Sequence, residues 1–149
     1  LEEGAVELPE GEFNAAFNPE AVVKVTDVLL ASHENTAQII DARPATRFNA
    51  EVDEPRPGLR RGHIPGALNV PWTELVREGE LKTTDELDAI FFGRGVSYDK
   101  PIIVSCGSGV TAAVVLLALA TLDVTNVKLY DGAWSEWGAR ADLPVEPVK

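Results

Sequence analysis

The sequence contains no methionine, a single cysteine, Cys106, and two histidines, His33 and His63. One cysteine cannot close an intrachain disulfide, which fits a reducing compartment and leaves the thiol either buried and inert or reactive. Two histidines and one cysteine without close ligand spacing argue against a metal site. Positive charge is also scarce, because 13 Lys and Arg stand against 24 Asp and Glu for a net charge of -11. Such a field repels phosphate backbones and anionic membranes, so nucleic acid is excluded as an expected partner. The longest apolar run, Val110 to Leu122, is interrupted by Thr111 and Thr121 and is too short to span a bilayer. No membrane segment is expected. The start lacks a signal-peptide apolar core or an Arg-rich transit segment, and an opening Leu1 and Glu2 without Met reads as a piece cut from something longer.

What is present fits one globular domain: 149 residues, 45% hydrophobic and 25% charged. Residues 1–20 are rich in acid, Gly and Pro without periodicity and are expected to be a linker or N-terminal arm, with the folded domain over 21–149. Val22, Val23 and Val25 predict a short strand, followed by a helix capped by Thr26 and Asp27. Gln38 to Asp41, Ala67 to Val70, Ile102 to Ser105 and Val127 to Tyr130 predict further strands. Helical spacing is expected over Trp72 to Val76, Thr83 to Phe92, from Val110 onward and over Trp134 to Arg140. The helix from Val110 is apolar almost all round, which predicts burial on most faces. Strands alternating with helices give an α/β class with a central parallel β-sheet flanked by helices, and ligands belong at the carboxyl ends of its strands. The polar segment from Ala42 to Gly66 is too long for an idle connection.

Cys106 sits in Ile-Ile-Val-Ser-Cys-Gly-Ser-Gly-Val-Thr, where a buried strand delivers it to a glycine-bearing loop that opens into a helix. Gly107 and Gly109 permit backbone conformations that other residues resist, so successive N–H groups can turn toward one point. Those groups and the positive end of the helix favour a thiolate and a persulfide anion. A phosphatase built on such a loop needs an arginine at its far end. Val110, Thr111, Ala112 and Ala113 occupy that stretch, and none donates a bidentate hydrogen bond.

Cys106-Gly107-Ser108-Gly109-Val110-Thr111 resembles the active-site loop of 3-mercaptopyruvate sulfurtransferases in the rhodanese superfamily. Asp41-Ala42-Arg43, Gly62-His63-Ile64-Pro65-Gly66-Ala67 and Asp131-Gly132-Ala133-Trp134 are similar to other rhodanese signatures, in the same order. The resemblance implies a rhodanese-like catalytic domain, the C-terminal half of a two-domain parent. It implies that Cys106 takes sulfur from 3-mercaptopyruvate as a persulfide, releases pyruvate and passes the sulfur to a thiol, thioredoxin or cyanide, with no cofactor. Arg47 and Arg56 match arginines that bind the donor's carboxylate and keto oxygens, and Gly107, Gly109, Val110 and Thr111 the loop that receives it. Ser108 matches a serine proposed to pass protons with residues of an N-terminal rhodanese-like domain, which is the implied partner. Thiosulfate-preferring relatives carry basic residues after the cysteine, where Ser108 stands here. Thiosulfate:cyanide sulfur transfer and a non-catalytic binding module stay open as alternatives. The implied compartment is the cytoplasm, or alternatively the mitochondrion.

Other candidates read as structural. Arg43 is expected to support the fold, and Arg60 and Arg61 to contribute only field. His63 is expected to hydrogen-bond to backbone and His33 to lie on the surface. Asp41 either orients the active-site loop or caps its strand. Trp72, Trp134 and Trp137 are expected in packing.

Overall fold

Two short strands built on β-branched residues set the centre of the sheet in a computed structural model that describes residues 10–147. They are β1 (Gln38–Asp41) and β5 (Ile102–Ser105), with β2 (Leu68–Asn69) beside β1 and β6 (Val127–Leu129) beside β5 as the outer strands. The order is β2-β1-β5-β6 with every pair parallel, and Asp41 lies beside both Asn69 and Ser105. Alternation along the strands sends side chains to two cores. Ile40, Ile102 and Val104 pack with Leu87, Phe91, Val115 and Leu119 on one face. Ile39 and Ile103 pack with Val28, Trp134 and Trp137 on the other. This is the expected α/β layout, with helices on both sides of a parallel sheet.

The helices are α1 (Val25–Glu34), α2 (Ala45–Phe48), α3 (Thr84–Gly93), α4 (Ala112–Thr121) and α5 (Ala133–Trp137). Among the described residues, a short helix and a hairpin were not expected. The one-turn helix α2 opens the long polar segment directly after Pro44, and β3 (Val76–Arg77) pairs with β4 (Glu80–Leu81) as a small hairpin.

The expected strand over Val22 to Val25 reduces to one bridge from Val22 to Leu129. Val25 instead begins α1, because the Asp27 carboxylate accepts the Lys24 backbone N–H at 2.8 Å and starts the helix earlier than a Thr26 cap would. Helix α4 begins at Ala112 rather than Val110, after a turn, and it is not buried all round. Val115, Ala118 and Leu119 face the core, while Leu117 is exposed and Val110, in the preceding turn, more so. Of the expected arm, residues 1–9 lie outside the described residues, and residues 10–17 carry no regular structure up to the turn at Pro19–Ala21, which Asn18 caps.

Candidate active site

The carboxyl ends of β1 and β5 deliver the site. Asp41 ends β1 and Ser105 ends β5, and the next residues stay in register through the Ala42 N–H donating to Ser105 O at 2.9 Å. Cys106 follows at once. It is a free thiol, 1% exposed, with its side chain at the edge of the core that holds Ala112 and Val115.

Helix α5 holds the loop after Cys106 from behind. The Trp134 N–H donates to Cys106 O at 2.9 Å, and Gly107 O accepts from the Ser135 N–H at 3.0 Å and the Ser135 hydroxyl at 2.7 Å. Among the described residues, the backbone N–H groups of residues 107–111 donate to no protein oxygen. A run of unpaired N–H groups beside a buried thiol is what an anionic sulfur needs. Gly109 has φ +84 and meets the expected need for a glycine. Gly107 does not lie in the left-handed region, so conformational freedom is not why it is glycine.

A cavity of about 180 Å³ opens over this loop, lined by Arg47, Glu54, Pro55, Arg56, Leu59, Gly107, Ser108 and Thr111. Five residues singled out from the sequence, Arg47, Arg56, Gly107, Ser108 and Thr111, therefore meet in one place. Three do not line it: Cys106 is buried, Gly109 is buried against Asp131, and Val110 is exposed.

The arginines are held by residues that sequence reasoning missed. Arg47, on α2, donates from Nε and Nη2 to the two oxygens of Glu54 at 3.1 and 2.5 Å. Arg56 donates to Ser135 Oγ at 2.9 Å, which links it to Gly107 through the same hydroxyl. Beneath them lies Arg43, 1% exposed, bound to Asp41, to Glu54 at 2.9 Å and to Gly62 O at 2.8 Å, with its guanidinium 4.3 Å from the centre of the Trp134 ring. Asp41 also accepts the Arg43 backbone N–H at 2.9 Å, so it turns the chain toward the site as well as ending the strand.

His63 is structural. Its Nδ1 lies 2.7 Å from Phe48 O and its ring stacks on Phe48 at 3.6 Å. Arg60 does more than add field, since its guanidinium donates to the carbonyls of Trp137, Gly138, Arg140 and Leu143 and closes the end of α5. Arg61 is exposed and pairs with Asp53. Trp134 and Trp137 are fully packed, Trp72 partly so, and His33 lies at the surface.

Residues 24–140 match the sequence profile of the rhodanese-like domain. The chain belongs to the rhodanese-like domain family. This rhodanese-like domain is 99% identical over its whole length to the 3-mercaptopyruvate sulfurtransferase of Escherichia coli (strain K12), covering 53% of that protein. It is 40% identical over 131 residues to the mouse 3-mercaptopyruvate sulfurtransferase, covering 87% of this chain and 44% of that one. In three dimensions it matches the crystal structure of SseA from Escherichia coli with a TM-score of 0.75 and 96% identity, over 91% of this chain and 50% of that one. The rhodanese-like domain thus spans about half the length of the relatives it matches. No helix among its described residues is long and apolar enough to cross a membrane.

Proposed function

We propose that this domain transfers sulfur from 3-mercaptopyruvate through Cys106. The observation that carries the reading is one cavity lined both by two guanidinium groups, Arg47 and Arg56, and by residues that follow the buried cysteine, Gly107, Ser108 and Thr111. A 3-mercaptopyruvate molecule carries a carboxylate and a keto oxygen at one end and a sulfur at the other. Planar guanidinium forks suit the first end, and a thiolate among unpaired N–H groups attacks the second.

In the proposed step the Cys106 sulfur bonds to the donor sulfur and the carbon–sulfur bond breaks. The electron pair leaves on carbon as the pyruvate enolate, which Arg47 and Arg56 stabilise and which takes up a proton to give pyruvate. Ser108, exposed at the cavity edge, is assigned the proton relay. The unpaired N–H groups of residues 107–111 stabilise the terminal persulfide sulfur. A thiol, a thioredoxin or cyanide then takes that sulfur and regenerates the Cys106 thiolate. No metal or organic cofactor is needed for either step.

We further propose that the chain is the C-terminal half of a two-domain protein whose N-terminal rhodanese-like domain covers the open side of the cavity. The half-length coverage of its relatives and the exposure of Val110 beside Thr111 support this. A reducing compartment such as the bacterial cytoplasm suits a reaction that depends on a free thiol.

Treating the full-length protein with 3-mercaptopyruvate and weighing it should show one added sulfur, with pyruvate released in equal amount and neither event in Cys106→Ser. Sulfur gained from thiosulfate but not from 3-mercaptopyruvate would replace this reading with the thiosulfate one. No gain from either donor would leave a binding module.

A further inference from the structure

Of the two arginines that line the cavity, Arg47 is fixed at two points. Its Nε and Nη2 face the two oxygens of Glu54, which is the side-on edge of the guanidinium. The remaining donors, on Nη1 and the second proton of Nη2, have no protein partner among the described residues. They form the end-on fork that a planar carboxylate accepts.

Glu54 is itself locked. Its Oε1 also accepts from Arg43 Nη1 at 2.9 Å, and its side chain is 1% exposed. Arg43 is in turn clamped by Asp41 and Gly62 O. Water does not compete for Glu54, and its two lone-pair edges are divided between a buried arginine and one that reaches the cavity.

The pinned guanidinium lies directly against Gly107. A methyl group added there would stand 2.7 Å from Arg47 Nη2 and 3.6 Å from Cζ and Nη1. Because the Gly107 backbone is not left-handed, glycine is required there for room alone. A free arginine would swing away from a methyl group at little cost. One held by Glu54 cannot.

We infer that Glu54 is the positioning residue that sets donor choice. It pins Arg47 over the bare Gly107 so that the end-on fork faces an α-keto carboxylate, and it makes a pinned Arg47 incompatible with any side chain at position 107. This rests on the proposed sulfur transfer. Glu54 touches no reacting atom and acts only through Arg47.

The test uses the full-length protein, with 3-mercaptopyruvate and thiosulfate as paired donors. Failure of the wild type to take sulfur from 3-mercaptopyruvate sinks the proposed function before Glu54 is altered. In a competent wild type, Glu54→Gln should lower kcat/KM for 3-mercaptopyruvate about tenfold more than for thiosulfate, with part of the loss in a raised KM for 3-mercaptopyruvate. Gly107→Ala alone should raise the same KM. Added to Glu54→Gln it should change little, because the arginine it would strike is no longer held there. An unchanged KM, equal losses with both donors, or effects of the two substitutions that multiply would each overturn the inference. If circular dichroism shows Glu54→Gln unfolded, Glu54→Asp takes its place under the same criteria, since the shorter side chain cannot span both arginines.

Discussion

Leading into the cavity lining, Asp41, Arg43, Glu54 and Arg47 form one chain of ion pairs in which the first three side chains are 0–5% exposed and Arg47 is 21% exposed. At the surface, Arg77–Glu86, Arg94–Glu74 and Arg140–Asp142 use the same groups with 37–65% of each side chain in water. A surface pair of this kind contributes about 0–1 kcal/mol, since solvent serves each charge almost as well when they part. The buried chain has no such fallback. Its net gain over apolar packing is small, yet each member fixes the position of the next, because a displaced charge would be left without solvation. Burial here supplies precision rather than stability, and the precision ends at Arg47, where the chain reaches the cavity.

The largest effect expected from this contrast follows Arg43→Met. Similar volume is kept, but Asp41 and Glu54 lose the cation between them, and the domain should lose about 3–5 kcal/mol by urea denaturation. A loss below about 1 kcal/mol would mean that the inner carboxylates behave like surface ones, and the comparison would fail.

A smaller effect distinguishes the two cavity arginines under the proposed reaction. Removing a charged hydrogen-bonding partner costs about 1.5–3 kcal/mol, or roughly tenfold to a hundredfold in kcat/KM. Arg47→Ala should fall at the upper end because its guanidinium is preorganised by Glu54. Arg56 is exposed and leans only on Ser135, so Arg56→Ala should cost less. The opposite ranking in steady-state kinetics with 3-mercaptopyruvate would show that preorganisation does not decide the contribution.

The smallest effect belongs to the surface. The Arg77 guanidinium, with help from the Thr83 backbone and hydroxyl, lowers Glu86 from 4.5 to about 2. A folded value below the unfolded one gives stability that is present above pH 4.5 and is lost as pH falls from there to about 2. Thermal melts of Arg77→Ala and wild type should therefore coincide at the acid end and separate slightly at neutral pH. Salt should erase the gap, because this pair is exposed. A gap that persists in high salt would mean that Arg77 acts by packing.

The parts of the molecule that the sequence revealed are those where burial leaves a local trace. β1 and β5 were legible to the residue because a strand covered on both faces reads as an unbroken apolar run with polar ends. The Val22 to Val25 run misled because its β-branched residues lie where only one bridge to β6 forms, and the Asp27 carboxylate decides the local structure instead. Helix α4 is covered on fewer faces than its sequence implies, since apolar composition cannot tell a covered face from an open one. Arg47 and Arg56 were legible through resemblance. Glu54 was not, because only the path of the long loop brings it between Arg43 and Arg47, and Ser135 meets Arg56 across 79 residues of chain.

The two carbonyls gripped by α5 have a further consequence for the peptides that contain them. In a trans peptide the C=O and the following N–H point in opposite directions. With Cys106 O drawn toward Trp134 and Gly107 O toward Ser135, the amides of Gly107 and Ser108 must face away from α5. The polarity of the loop is thus imposed from behind, by a helix that contributes no residue to the cavity lining. A transplanted Cys106–Thr111 hexapeptide would keep its glycines and lose its orientation, so α5 is the template that any redesign of this site would have to carry along.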